Sequence, residues 1–292
     1  MANSIQAAPA VLADGVIASL KNKLPVLRSM SRVFTSTPQA SGKTIQVPLI
    51  GTSSATEFGA SGYLAQDDAT VTKADVTLKH FKVSTRVDPL NIKEYGAAFF
   101  IDNFTVTAAN ALAQKCMDEV RAIITVANYA QDVVSGAALS YAEVLSAKKV
   151  LDDGKASEPR VLVLNNTYTQ NLLGDSTITG ANGLGAQVIS SGRLGTLAGA
   201  EAYQWSNLGT AEDLAGFMCG ADAIAVAAAL PYTEIPGWEV ANAIEPDTGL
   251  GVQVIVGQEQ SGYLNVTATL LFGAAKGRAE SLVRFESTVP GN

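Results

Sequence analysis

The sequence carries little charge for its length. Only 16% of the 292 residues are Asp, Glu, Lys or Arg, whereas 47% are hydrophobic; an ordinary soluble domain carries about 25% charged residues. Burial of much of the surface in an assembly explains so little charge, although an enzyme rich in alanine and glycine would show the same figure. The length allows one large domain or two.

Residues that commonly perform chemistry are scarce. His80 is the only histidine, and no G-x-S-x-G motif accompanies it, so we expect a half-buried or interface histidine rather than a hydrolase triad. Cys116 and Cys219 lie far apart in apolar stretches, which predicts two buried free thiols. The acid pairs Asp67–Asp68 and Asp152–Asp153 fall in turn or helix-end contexts and are predicted to be solvated. We therefore assign no catalytic, cofactor-binding or metal-binding residue.

Short binding motifs are also incomplete. Asp247–Gly249 spells the aspartic-protease tripeptide once, but it follows Glu245-Pro246, which predicts a turn. Gly183-x-Gly185 lacks the third glycine of a dinucleotide loop, and no phosphate-binding loop is present. No apolar run approaches the ~20 residues of a membrane span. The N-terminus lacks signal-peptide features, so we expect synthesis in the cytoplasm and no membrane partner.

The charge that is present is unevenly distributed. Residues 1–50 contain five basic residues and one acid, a net charge of +4, so that the remainder carries −11 of the total of −7. A basic arm on an acidic body is suited to docking onto a like neighbour or a polyanion, and a solvated helix face is the alternative.

The first 90 residues predict short helices followed by a long β-arm. Val11–Leu20 predicts one helix, and Pro25 interrupts any single longer helix. Leu24, Leu27 and the stretch from Met30 to Phe34 predict a second helical piece. Thr44–Ile50 and Thr70–Val87 predict two strands around a turn-rich segment. In the second strand the apolar positions change parity after residue 78, which predicts a bulge or a change of environment. An isolated hairpin is marginally stable, so the arm needs a partner surface, which nothing else in the chain obviously supplies.

A long helix and an α/β unit follow. A stripe of apolar residues with helical spacing predicts a main helix over Thr105–Ala130, separated by Gly96 from a shorter one. Within residues 136–230, Ser140 and Glu143 form a capping box ahead of a helix over 141–152. The same unit has these further predicted elements: a buried strand over Arg160–Leu164, a helix capped by Asn165 or Asn166, strands over Glu201–Trp205 and Phe217–Cys219, and a helix over Ala221–Leu230 that Pro231 ends. Alternation then predicts strands over 252–256, 264–272 and 281–286.

The order of these parts resembles the Hong Kong 97-type major capsid fold of tailed bacteriophages and encapsulins. GKTIQVPLIG (42–51) and KADVTLKHFKVSTRV (73–87) resemble the two strands of its E-loop. PRVLVLNNTYTQNLL (159–173) and VISSGRLGTLAGAEAYQWSNL (188–208) resemble its A-domain. LLFGAAKGRAESLVRFES (270–287) resembles its final P-domain strand and hairpin. The resemblance covers nearly the whole chain, and the order of the phrases is more specific than any one of them.

The resemblance implies an α+β fold with five segments. These are an N-terminal arm (1–40), the E-loop hairpin (41–87), the spine helix of the P-domain (88–135), the A-domain (136–250) and the return strands of the P-domain (251–292).

The resemblance also implies a structural role without enzymatic activity. Hexamers and pentamers of the chain would form an icosahedral shell in the virion, assembled in the host cytoplasm around double-stranded DNA that is contacted non-specifically. Each E-loop would lie across a neighbouring subunit, and the basic arm would bind acidic neighbours. A separate scaffolding protein, a portal and a decoration protein are the implied partners. Residue type alone supports a Lys73 or Lys79 cross-link to Asn265, so we do not expect one.

Other functions remain open at the level of sequence. The same fold forms encapsulin nanocompartments, which enclose cargo protein. An α/β enzyme built on residues 136–230 would require a pocket of convergent polar groups, and none can be assembled from the sequence. A surface or adhesive β-protein is disfavoured by the missing export signal.

Overall fold

The computed structural model describes residues 9–49, 72–134, 136–180, 194–206, 208, 213–231, 236–259 and 262–287. Its α-helices are Pro9–Lys23 (α1), Pro89–Tyr95 (α2), Ala97–Ile123 (α3), Tyr141–Asp153 (α4), Asn166–Gly174 (α5) and Ser176–Thr179 (α6). Its strands are Ser31–Gln39 (β1), Thr44–Pro48 (β2), Lys73–Thr77 (β3), Lys79–Val87 (β4), Asp132–Val134 (β5), Arg160–Leu164 (β6), Thr196–Leu197 (β7), Ala200–Gln204 (β8), Leu214–Cys219 (β9), Ile224–Pro231 (β10), Glu239–Ile244 (β11), Gly251–Gln258 (β12), Leu264–Lys276 (β13) and Leu282–Glu286 (β14).

Two six-stranded sheets organise these elements. The first sheet has the order β1-β10-β13-β12-β11, with β4 paired to β13. Helices α1 and α3 pack against one of its faces and enclose the larger apolar core. The second sheet has the order β5-β14-β9-β6-β8-β7, and its own core lies against α4 and α5. The chain passes between the two sheets from β9 to β10 and again from β13 to β14.

The arm predicted from residues 44–87 divides at Leu78. β2 and β3 form an antiparallel pair from Thr44↔Thr77 to Pro48↔Lys73, whereas β4 leaves this hairpin and pairs with β13 over nine positions. The parity switch in the sequence therefore marked a real change of environment. The expectation that the arm has no partner within the chain is wrong for its base, because Val47 and Val76 pack against the first sheet. The connecting residues 50–71 lie outside the described residues.

The alanine-rich stretch predicted as a helix over Ala221–Leu230 is strand β10, so this prediction is wrong. All eight residues of the strand are buried, between β1 and β13. Alanine favours a helix locally, but the packing of the surrounding sheet decides here. The small side chains of Ala225, Ala227 and Ala229 leave room for the β2–β3 hairpin above them.

The N-terminal helix is confirmed, but the second helical piece is not. α1 is followed by one 3-10 turn over Pro25–Ser29, and the chain then continues as β1. This strand runs parallel to β10, starting from the pair Ser31↔Ala225. Once β10 is a strand, its edge can satisfy the backbone groups of residues 31–39, which explains why the helix stops.

The spine helix is confirmed with shifted bounds. α3 has 27 residues, which corresponds to about 40 Å, and Gly96 with φ of 84° separates it from α2. It ends at Ile123 and not at Ala130 as predicted. Leu112, Cys116 and Val120 of the predicted stripe are fully buried.

The α/β unit is confirmed in most of its elements. Ser140 and Glu143 form the predicted capping box of α4, and the Asn165 side chain caps α5 by accepting from the Tyr168 N–H at 2.8 Å. β14 joins this second sheet next to β9, so the predicted hairpin of the two last strands is wrong. Because β10 and β11 belong to the first sheet, the predicted A-domain boundary at residue 250 does not follow the sheets and stays a prediction.

Candidate assembly surfaces

An ion-pair cluster ties the N-terminal helix to the β11–β12 turn. The Lys21 Nζ lies 2.8 Å from Glu245 and 2.7 Å from Asp247, and the Arg28 guanidinium lies 3.5 Å from Glu245. Glu245 is only 5% exposed, and Thr248 donates a hydrogen bond to it. The expectation that the basic arm binds acidic neighbours is therefore wrong for Lys21 and Arg28, which pair within their own chain.

Both acids of this cluster have lowered pKa values. Burial by itself would raise the pKa of Glu245, but hydrogen bonds from Lys21 and Thr248 and the charges of Lys21 and Arg28 outweigh it and hold the pKa below its usual range. The hydrogen bond from Lys21 lowers the pKa of Asp247. The cluster therefore stabilises the folded chain when both carboxylates are ionised.

We expect this cluster to make stability sensitive to acid. A lowered folded-state pKa contributes stability above the unfolded values of about 4.3 for Glu and 3.9 for Asp, and this stability is lost as the pH falls through the folded values. In urea unfolding from pH 7 to pH 3, the Lys21→Met variant will therefore lose less stability with falling pH than the parent. Lys23→Met, which lies outside the cluster, will behave as the parent; parallel curves for all three proteins would contradict this account.

The N-terminal two thirds of the spine helix carry only one charged residue. From Ala97 to Gln114 the helix contains one charged residue, Asp102, whereas the last nine residues contain Lys115, Asp118, Glu119 and Arg121. Val106 is exposed in this part of the helix. A helix face that meets water normally carries charged and polar residues. Here exposed polar residues such as Asn103 and Thr107 remain while charge is nearly absent, so this face is less strongly hydrated than the C-terminal part of the helix.

An aromatic cluster lies where α2 meets α3. Tyr95 is 59% and Phe99 52% exposed, and the ring centroids of Tyr95, Phe99 and Phe100 lie 5.6 to 6.5 Å apart. Leu90, five residues before Tyr95, is also exposed. Exposed apolar patches of this kind mark protein–protein interfaces. Together with the exposed Val106 of α3, the cluster forms an apolar edge of the first sheet's helical layer.

A buried carboxylate joins the two sheets. Asp222 lies in the β9–β10 crossover and is 1% exposed. Its carboxylate accepts hydrogen bonds from the Ser157 hydroxyl at 2.6 Å and the Arg278 guanidinium at 3.4 Å. Arg278 lies in the second crossover, between β13 and β14, and also donates to the carbonyl of Gly154 at 2.7 Å. One side chain thus connects both crossovers with the loop that precedes β6.

The residues considered for chemistry are not brought together. His80 lies on β4 with an exposed side chain, and partial desolvation lowers its pKa; whether it contacts a neighbour stays a prediction. Cys116 and Cys219 are buried and free as predicted, and burial raises the pKa of Cys219 to about 12. Lys79 pairs with Glu119 at 2.7 Å. Asp247 lies in the predicted turn, whereas Asp67–Asp68 and Gly183–Gly185 lie outside the described residues.

One surface cavity of about 280 Å³ opens between α1, α3 and β8. Its lining residues are Lys23, Asn110, Ala113, Gln114, Gln204, Trp205 and Ser206. This lining contains no carboxylate, histidine or cysteine, so it offers no acid–base pair for catalysis.

Among the described residues, no group of three or more His, Cys, Asp or Glu side chains could hold a metal ion. In that same part of the chain, every helix is too short or too polar to cross a membrane.

Comparisons with known proteins identify the fold. No protein-family model and no curated protein sequence matches the chain. The capsid structure of the cyanophage P-SCSP1u is similar, with a TM-score of 0.54, 14% identity and coverage of 89% of this chain and 87% of that one. The head structure of the Helicobacter pylori bacteriophage KHP40 is similar with a TM-score of 0.51, 13% identity and coverage of 88% and 87%. A virus-like particle from Pyrococcus furiosus is similar with a TM-score of 0.54, 11% identity and coverage of 95% of this chain and 98% of that one.

The predicted fold class is therefore confirmed at this level: the chain is a mixed helix and sheet protein with the fold of phage capsid proteins. The similar structures match most of their own length, so the likeness extends over both sheets rather than over one common motif.

Proposed function

We propose that the chain is the major capsid protein of a tailed bacteriophage and builds an icosahedral shell from hexamers and pentamers of itself. The observation that carries the proposal is the likeness to phage capsid and head structures over nearly nine tenths of the chain. The apolar edge at Tyr95 and Phe99 supports it, because such a surface is suited to a neighbouring subunit. The role is structural rather than enzymatic.

The remaining partners follow from this role. The shell encloses double-stranded DNA and contacts it without sequence preference, and the acidic net charge of −7 keeps the packed DNA from adhering. A separate scaffolding protein, a portal and a decoration protein complete the particle. The protein then resides in the virion after assembly in the host cytoplasm, and the segment 41–87 contacts a neighbouring subunit.

Deleting residues 52–68 tests the role of that segment. β2 and β3 remain joined by residues 49–51 and 69–72, so the pairing from Thr44↔Thr77 to Pro48↔Lys73 is retained. We expect a soluble subunit with the unfolding midpoint of the parent that forms few shells in negative-stain images. Normal shells from the deletion variant would show that the segment has no role between subunits. If the deletion lowers the unfolding midpoint, shell formation by the variant and the parent is compared under conditions well below both midpoints. A loss of stability is then not mistaken for a loss of assembly.

A protein-filled nanocompartment of the encapsulin type is the second candidate. The observation that favours it is the similarity to the virus-like particle, which covers 95% of this chain and 98% of that one. Particles purified from the native source distinguish the two functions. Nuclease-protected double-stranded DNA supports the capsid, whereas a co-purifying cargo protein without DNA supports the nanocompartment.

A further inference from the structure

β4, beside β13, and β11, beside β12, are edge strands of the first sheet. They differ in how their edges are protected from pairing with another chain. β4 carries Lys79, Lys82 and Arg86 with exposed side chains, and charges of this kind prevent a strand edge from pairing with another chain. β11 has no lysine, arginine or proline between Glu239 and Ile244. Within the described residues, it pairs with β12 alone. This edge is therefore open to a further strand.

The backbone groups at this edge can be identified from the ladder. The Glu245 N–H donates to the Leu250 carbonyl at 2.8 Å, and Glu239↔Val256 to Ile244↔Gly251 continue the same register. Because hydrogen-bonded and non-hydrogen-bonded pairs alternate in an antiparallel ladder, the N–H and C=O groups of Val240, Asn242 and Ile244 point away from β12. Three donors and three acceptors thus lie along the edge.

The sequence of the strand is nearly the same in both directions. Residues 239–245 read E-V-A-N-A-I-E, with Asn242 at the centre. Val240 and Ile244 are 38% and 41% exposed, on the sheet face opposite to α1, and Ala241 and Ala243 face the core. Two copies that run antiparallel about Asn242 would therefore place like side chains opposite each other on both faces.

We propose that β11 pairs with β11 of a second copy of this chain across a two-fold axis at Asn242, joining two sheets into one. The inference deepens the proposed function, on which it rests, by naming one contact of the self-assembly. In an isologous contact the same patch serves both copies, and a nearly palindromic edge strand is such a patch.

In the proposed pairing, each side chain and each outward backbone group of β11 has a partner on the other copy. Val240 of one copy lies opposite Ile244 of the other, and β-branched pairs of this kind stabilise sheets. The Asn242 Oδ1 accepts from the Gln253 amide at 3.2 Å, so its own amide group is free to donate to Asn242 across the axis. The six outward groups on each strand pair with those of the partner.

Charge does not oppose the contact at its ends. The register places Glu239 of one copy opposite Glu245 of the other. Glu245 already lies 2.8 Å from Lys21 and 3.5 Å from Arg28, so its charge is compensated before Glu239 approaches. The nearby cations therefore allow two acids to face each other.

Cysteine substitutions in the full chain test the register. In the proposed pair, the two copies of residue 242 face each other at about 5.5 Å between Cα atoms, within the span of a disulfide of about 4.4–6.8 Å. The two copies of residue 240 are offset by four residues, about 13 Å along the strands. Asn242→Cys is therefore the test variant and Val240→Cys the matched control on the same face. The native Cys116 and Cys219 are buried and do not interfere.

Mild oxidation of assembled protein, followed by non-reducing electrophoresis, gives the readout. We expect most of the Asn242→Cys chains as disulfide-linked dimers, at least tenfold more than for Val240→Cys, and dimer formation restored when Val240→Cys and Ile244→Cys are combined. Shells that form without linked dimers from Asn242→Cys would overturn this contact and leave the proposed function intact. Equal linkage of both single variants would also overturn it. A parent chain that forms neither shells nor isolated hexamers and pentamers, alone or with its scaffolding partner, would overturn the proposed function itself.

Discussion

Replacing Asp222 with alanine will lower the free energy of unfolding by about 3 kcal/mol, because it removes a buried carboxylate and strands its partners. The carboxylate accepts from the Ser157 hydroxyl at 2.6 Å and the Arg278 guanidinium at 3.4 Å. Arg278 remains partly exposed and can bind water, which keeps the expected loss at the lower end of the range for a broken buried ion pair.

The effect reaches beyond one hydrogen bond because of where Asp222 lies. Its crossover and that of Arg278 are the two C-terminal connections between the sheets, and their backbones are already joined by the Arg278 N–H and the Asp222 carbonyl at 2.9 Å. Loss of the carboxylate therefore weakens the connection between the two sheets, and also the strand ends that adjoin the two crossovers. We expect an increased hydrogen-exchange rate at the crossovers before the sheet interiors change.

Urea unfolding at pH 7 measures the predicted loss. Asp222→Asn, which keeps the shape and one acceptor, will fall between the parent and Asp222→Ala. Asp153→Ala is the matched control, because that acid pairs with Lys149 on the exposed face of α4, and it will change stability by no more than about 0.5 kcal/mol. Equal effects of Asp222→Ala and Asp153→Ala would contradict the structural role of the junction.

Replacing Gly273 with alanine will displace the β2–β3 hairpin and lower the free energy of unfolding by about 2 to 3 kcal/mol. A Cβ at this position would lie 2.3 Å from the Thr77 carbonyl oxygen and 2.9 Å from a Val76 methyl group. The nearest atom belongs to a backbone and cannot move aside as a flexible side chain would. Gly273 therefore allows β3 to cross directly over β13.

The same substitution will also reduce assembly, because the hairpin sets the direction of the segment that we propose to contact a neighbour. We expect fewer shells from Gly273→Ala, and a larger loss of both stability and assembly from Gly273→Val. Gly174→Ala is the control: it lies at the end of α5 with no atom near its added methyl group. Unfolding and negative-stain counts that are unchanged in Gly273→Ala would refute the close approach of β3.

The parts of the fold that could be predicted are those fixed by local chemistry. The Ser140–Glu143 capping box and the Asn165 cap each satisfy backbone donors at a helix start, so their sequence signature is short and specific. The division at Leu78 was visible because a change of side-chain parity requires a change of surroundings. The buried run Arg160–Leu164 was recognisable because a strand that is apolar on both faces lies inside a sheet.

The wrong predictions concern segments whose secondary structure or strand partners depend on residues far away in the sequence. β10 has a sequence that suits a helix, and only its place between β1 and β13 under the hairpin makes it a strand. Once β10 was misassigned, residues 31–34 had no strand to pair with and were predicted as part of a helical piece. The resemblance of residues 270–287 predicted a final strand and hairpin, whereas the partners of β14 are β9 and β5 in the other sheet. No local pattern distinguishes these alternatives.

The assembly surfaces were predicted only in outline. A low charge content indicated buried surface but not its position, and the single charge between Ala97 and Gln114 was the signal that could have located it. The pairing of Lys21 with Glu245 and Asp247 joins residues more than 220 positions apart, so the sequence alone offered only a neighbour, a polyanion or solvent as the surroundings of those cations. The near-palindrome around Asn242 gains meaning only once β11 is known to be an edge strand.

Negative-stain microscopy of the purified full chain, with sedimentation of the same sample, shows whether this chain builds a shell. We expect closed icosahedral shells, or isolated hexamers and pentamers, formed by this chain alone or with its scaffolding partner. A monodisperse monomer under both conditions, with residues 44–87 ordered on its own surface, would contradict this expectation.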